Sequence, residues 1–152
     1  GCRIYAPSGA VGCIDILKAA RLSGLHEVIL TTRKPPRALD GFSEGGQAPC
    51  TSEELVFEGP ATEAVVRFPK NVNVAAIVSL AGLGPDKTRV RVVADPSVDK
   101  NVHQIQARGE FGSFEFHVAN TQSPDNPKTS ILASWSAIQV LKEIGSSLQL
   151  GT

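Results

Sequence analysis

The stretch from Asn101 to Ala119 constrains the fold more than any other part of the chain. His103, Ile105 and Ala107 share one side of an alternating segment, and Phe114, Phe116 and Val118 alternate with Glu115 and His117 in a second. Gly109-Glu110-Phe111-Gly112 between them reads as a hairpin connection. Two antiparallel strands of this kind belong to a sheet with one solvated face and one that must be covered. The segment from Thr129 to about Gly145 can supply a cover, because Ile131, Leu132, Trp135, Ile138, Leu141 and Ile144 form an apolar helical stripe.

Ahead of the hairpin, strand and helix patterns alternate. Gly1 to Ala6 reads as a short strand broken by Pro7-Ser8-Gly9. Val11, Ile14, Leu17 and Ala20 then recur at helical spacing, so Ser8 is expected to cap a helix that runs to about Leu22 and closes at Gly24. His26 to Arg33 is rich in Val, Ile, Leu and Thr and predicts a strand. From Lys34 to Ser52 the composition turns to Pro, Gly and Ser, which marks a long surface loop. Leu55 to Glu58 predicts a strand, Ala61 to Arg67 a short helical turn, and Asn71 to Leu80 a mostly buried helix with Gly82 as a left-handed C-cap. Arg89 to Ala94 is a further strand, stopped by Asp95-Pro96. This order predicts an α+β (mixed α/β) fold, a sheet with helices packed on one face.

The bulk numbers remove whole classes of function. Fifteen basic residues balance fifteen acidic ones, so the chain has no basic footprint for nucleic acid. No stretch approaches the roughly 18 consecutive apolar residues of a membrane span, and no charged segment leads into an apolar signal core. Cys2, Cys13 and Cys50 lack the spacing of metal sites or redox pairs, which favours a reducing, cytoplasmic setting.

No nucleophile elbow, zincin helix, Walker loop or dinucleotide-binding glycine loop is found. Gly82-Leu83-Gly84 comes nearest, but Lys87 stands where a third glycine belongs and no strand feeds into it. Chemistry would therefore rest on acid–base groups, histidine above all. His26 sits beside a polar turn and His117 points away from the core, whereas His103 shares a face with Ile105 and Ala107. That pattern suits a hydrogen-bonded structural histidine or a proton-transfer group. Lys128, Thr129 and Ser130 bring an ammonium and two hydroxyls to a helix N-terminus, which could hold a carboxylate or could simply cap the helix. The junction at Pro7-Ser8-Gly9 is either a ligand-facing turn or a plain connection.

Three stretches in order, PSGAVGCIDILKAA (Pro7 to Ala20), FPKNVNVAAIVSLAGLGPDKTRV (Phe68 to Val90) with ADPSVDKNVHQI (Ala94 to Ile105), and NPKTSILASWSAI (Asn126 to Ile138), resemble the L-aspartate dehydrogenase family. The resemblance implies oxidation of L-aspartate to iminoaspartate with NAD or NADP, or reductive amination of oxaloacetate in reverse, with the imine able to feed NAD synthesis. It implies Ala10 and Asn73 as cofactor-contacting positions and His103 as the active-site histidine. Charge and placement add Lys128, Thr129 and Ser130 as candidates for the substrate carboxylates, with Lys70 second.

Under the same resemblance residues 1–24 are the tail of a dinucleotide-binding domain, 25–128 the substrate and catalytic sheet domain, and 129–152 a helix packing back on it. A chain without the nucleotide-binding glycine loop is expected to bind cofactor weakly and to turn over little or not at all. A homo-oligomer is expected by analogy. Two alternatives stay open: a non-catalytic interaction or ligand-sensing domain that keeps the fold, and a related dehydrogenase or imine reductase with another substrate.

Overall fold

The structure, a computed structural model, describes residues 1–39, 51–69, 72–125 and 129–151. In chain order the elements are α1 (Ile14–Leu22), β1 (Leu25–Lys34), a 3-10 turn (Pro36–Ala38), β2 (Glu54–Pro60), α2 (Ala61–Arg67), α3 (Val72–Ala81), β3 (Arg89–Ala94), β4 (Asn101–Gly109), β5 (Gly112–Asn120) and α4 (Ile131–Ile144). The five strands form one sheet in the order β2-β3-β1-β4-β5. Only β1 and β3 run parallel; the hairpin strands β4 and β5 pair antiparallel from Asn101 opposite Asn120 to Gly109 opposite Gly112.

One face of the sheet carries the core. Val28 and Leu30 of β1, Val90 and Val92 of β3, and Ile105 and Ala107 of β4 meet Leu17 and Ala20 of α1, Ala61 and Ala64 of α2, and Ala75 and Val78 of α3. Full burial of side chains such as Leu17, Leu30 and Ile105 contributes about 1.5–3 kcal/mol each. The opposite face is polar: Glu58 accepts from Arg89 and Arg91 at 3.0 and 3.2 Å, and Glu115 accepts from Gln104 and Gln106 at 2.7 and 3.1 Å. The expected sheet with helices on one face is therefore the observed architecture.

Local expectations are corrected in four places. Gly1 to Ala6 is exposed and is no strand, because no neighbouring strand among the described residues offers it a ladder. α1 begins at Ile14, not near Ser8, and its N-cap residue is Cys13, with φ 58° and no side-chain cap. The stretch from Pro7 to Gly12 instead runs against β5. A Cβ on Gly12 would sit 2.9 Å from Phe116 Cζ, so only glycine allows that approach.

Gly82 is not left-handed; Gly84 is, at φ 84°. What Gly82 supplies is closeness between α3 and β1, since a Cβ there would lie 3.2 Å from Val28 Cγ2. Finally, α4 does not cover the sheet. None of its residues is buried, and Trp135 remains 58% exposed. The face it was expected to cover is already occupied by α1 and α3, and α4 instead meets the N-terminal segment, where Gly9 N–H donates to Ser136 Oγ at 3.0 Å.

Candidate active site

The packed face of the sheet changes chemistry along its length. Its apolar rungs are Val28–Ala107–Phe114 and Leu30–Ile105–Phe116. The next rung is Thr32–His103–Val118, and beyond it Asn101 stands opposite Asn120, with Lys34 on the same face two residues past Thr32. Alternation thus carries the face from oil to polar groups within two rungs. Lys34, Asn101, His103 and Asn120 are nonetheless all more than nine-tenths buried.

Buried polar groups need partners, and most of these have them. The Thr32 hydroxyl shares a hydrogen bond with His103 Nδ1 at 3.1 Å. Whichever group supplies the proton, the ring is fixed and Nε2 is the nitrogen left to exchange one. Asn120 ties three segments together: its Nδ2 donates to Ala10 O at 2.9 Å and its Oδ1 accepts from Ser130 Oγ at 3.0 Å. Ser130 Oγ also accepts from Leu132 N at 3.1 Å, which makes it the N-cap of α4.

A cavity of about 400 Å³ opens over this polar end. Lys34, Asn101 and His103 form its floor, the turn Ala6–Ala10 one wall, and Asn73, Val74 and Ile77 of α3 another. Thr129 and Ser130 close the side toward α4. Burial, reinforced by the Lys34 ammonium, pushes the His103 imidazole down from 6.5 to about 4. It is therefore neutral at physiological pH. The Cys13 thiol, at the start of α1, is pushed up to about 12 by burial and by Asp15, so it stays protonated. Among the described residues no group of three or more His, Cys, Asp or Glu could hold a metal ion, and no helix is long and apolar enough to cross a membrane.

The residues singled out from sequence largely converge. Ala10, Asn73, His103, Thr129 and Ser130 line this one cavity although they come from four parts of the chain. Lys128 and Lys70 lie outside the described residues. Ser130 already has its oxygen engaged twice, in the cap and with Asn120. His26 and His117 are exposed. Sequence reasoning missed Thr32, Lys34 and Asn101. The missed signal was strand period: Thr32 and Lys34 continue the inward series Val28, Leu30, and β1 runs one residue past the expected end at Arg33.

Residues 15–144 match the family described as aspartate dehydrogenase, C-terminal. The L-aspartate dehydrogenase of Methanosarcina acetivorans is 51% identical over 99% of this chain and 58% of its own length. That of Ralstonia nicotianae is 47% identical over 88% of this chain and 51% of its own. The crystal structure of aspartate dehydrogenase from Thermotoga maritima superposes with a TM-score of 0.82 at 32% identity, covering 98% of this chain and 56% of that one. The chain spans a little over half the length of these relatives, and by these matches it belongs to the aspartate dehydrogenase C-terminal family.

Proposed function

We propose that this chain is the substrate-side part of an NAD(P)-dependent L-aspartate dehydrogenase, converting L-aspartate through iminoaspartate to oxaloacetate and ammonia. The observation that carries the reading is His103, a nearly buried imidazole on the floor of a cavity that Ala10 and Asn73 also line.

The cavity suits a nicotinamide. Its volume of about 400 Å³ falls in the range of small-molecule sites. Val74, Ala76 and Ile77 offer an apolar side for a flat ring, Asn73 a side-chain amide for polar contact, and the turn at Ala10 a backbone edge. A nicotinamide bound there would accept the hydride leaving the substrate α-carbon.

The chain's own residues do the rest. Lys34 offers its ammonium to a carboxylate, and with Thr129 it fixes the dicarboxylate against the floor. Thr32 holds the His103 ring in one orientation, which keeps Nε2 aimed at the cavity without loss of rotamer freedom on binding. Since burial keeps the imidazole neutral, it can take a proton at Nε2 from the substrate nitrogen, or from the water that hydrates the imine carbon, and return it as the products form. Apolar neighbours such as Ile77 and Leu80 limit the water that reaches those atoms.

The test is direct. The enzyme carrying this chain together with its nucleotide-binding half is assayed with L-aspartate and either NAD+ or NADP+, following reduced nicotinamide by absorbance. His103→Ala should lower kcat by about 10²–10⁴-fold, the usual size of a general acid–base contribution. No reduction by the wild type with aspartate, or an undiminished kcat in the variant, refutes the reading.

A further inference from the structure

We propose that Asn101 and Lys34 form one clamp for the side-chain carboxylate of the substrate, and so select aspartate over amino acids whose side chain ends without a negative charge. This rests on the aspartate-oxidising reading and adds which protein atoms read the far end of the substrate.

The clamp follows from strand register. Thr32 stands opposite His103 and Arg33 opposite Val102, so the antiparallel pairing brings Lys34 beside Asn101 on the next inward rung. Directly opposed side chains start about 4.5–5.5 Å apart at Cβ, and both of these line the cavity while more than nine-tenths buried.

The two asparagines at this end of the β4–β5 ladder are held differently. Asn120 is engaged at both ends of its amide, by Ala10 O and Ser130 Oγ. Asn101 has its Oδ1 sealed inside the protein without a hydrogen-bond partner among the described residues, which leaves the NH2 as the end that opens to the cavity. A carboxamide that turns its donors outward at the expense of its own oxygen is set for an acceptor.

The chemistry of the ligand follows from the pair. An amide N–H and an ammonium side by side both donate, and the ammonium also calls for negative charge; a carboxylate satisfies them together with two oxygens on one carbon. Spacing decides which carboxylate. Asn101 is two residues from His103 along β4, which separates the clamp from the imidazole by about 6.5–7 Å of strand. With the substrate nitrogen at His103, the α-carboxylate hangs on the carbon that bears that nitrogen. The side-chain carboxylate hangs one carbon further out, in the direction of the clamp.

The experiment uses the enzyme that carries this chain together with its nucleotide-binding half. It compares kcat/KM for L-aspartate with that for L-asparagine, in which the side-chain carboxylate alone is replaced by a neutral amide of the same shape. Wild type should prefer aspartate by about 100-fold, the scale of one or two hydrogen bonds to a charged group. Asn101→Leu, similar in volume, should cost aspartate about 10- to 100-fold, chiefly in KM, and cost asparagine less, because a charged acceptor loses more than a neutral one. Asn101→Asp, nearly isosteric, should reverse the order, since the introduced carboxylate repels aspartate and accepts from the amide of asparagine. Asn101→Ala, which buries neither a charge nor added bulk, repeats the leucine comparison if either variant fails to fold.

Failures separate cleanly. If wild type prefers aspartate and the Asn101 variants lower both substrates by the same factor, or Asn101→Asp keeps the wild-type order, the clamp is overturned while the aspartate reading stands. If wild type reduces no nicotinamide with aspartate, the aspartate reading and this inference fall together.

Discussion

Mild acid should destabilise this chain through one imidazole. In the fold, burial and the Lys34 ammonium hold His103 at about 4, against 6.5 for the free side chain. Between those values the unfolded chain binds a proton that the folded chain refuses, so stability rises with pH across that window. The contribution is complete above pH 6.5 and is lost as the pH falls toward 4. For such a shift the linkage amounts to about 2 kcal/mol between pH 7 and 5, and about 3 kcal/mol by pH 4. That is a large share of the ~5–15 kcal/mol by which domains are stable.

The window above pH 5 is favourable for the measurement, because Glu58, Glu115 and Asp95 are held below the usual carboxylate values by Arg91, Gln106 and Ser97 respectively. Their loss of stabilisation comes at lower pH. Urea unfolding at pH 7, 6 and 5 should show the wild type weakening by the stated amount. His103→Gln, which keeps a polar side chain and cannot titrate, should be nearly flat over the same range. A flat wild type would mean that His103 is far more hydrated than its 7% exposure indicates. A slope that survives in His103→Gln would place the proton elsewhere and refute the reasoning.

Two further outcomes test the walls of the site. Gly12→Ala should cost about 1–3 kcal/mol by overpacking against Phe116; thermal unfolding reads the loss, and adding Phe116→Leu should recover part of it. Asn120→Ala should cost about 1–3 kcal/mol by leaving Ala10 O and Ser130 Oγ short of partners. Hydrogen exchange in that variant should quicken at residues 7–13 and at the start of α4, with the β1–β3 ladder unchanged; equal protection in both regions would show that Asn120 is no joint.

Residues with strong periodicity were legible in the sequence. The alternation from Asn101 to Ala119 gave β4, the hairpin and β5 nearly to the residue, and put His103 on the covered face. What the pattern could not carry was which apolar stripe would cover which surface. α4 is the longest of the described helices and carries an apolar stripe, yet Trp135 and Leu141 are exposed, while α1, α2 and α3 with their small buried alanines do the covering. Stripe strength measures amphipathicity, and close packing on a sheet also demands small residues such as Ala61, Ala64 and Ala75.

The site was legible in part for the same reason. His103, Ala10 and Asn73 were singled out through family resemblance, and they share a cavity. Lys34 was hidden because a lysine beside Pro35 reads as the start of a loop, although the strand period carries through it. Asn101 was hidden because nothing local distinguishes a polar residue at a strand start from a solvated one. Only the pairing with Asn120, set by long-range register, puts it inside.

The polar rungs tie the assembly of the cavity floor to correct folding in an all-or-none way. Slippage of β4 by a single residue would rotate Gln104 inward and turn the imidazole out to water, and would set Val102 where the unpaired carboxamide now lies. No half-built floor lies between the two, so a population of mispaired sheets would register as a missing cavity and never as a cavity with an altered lining.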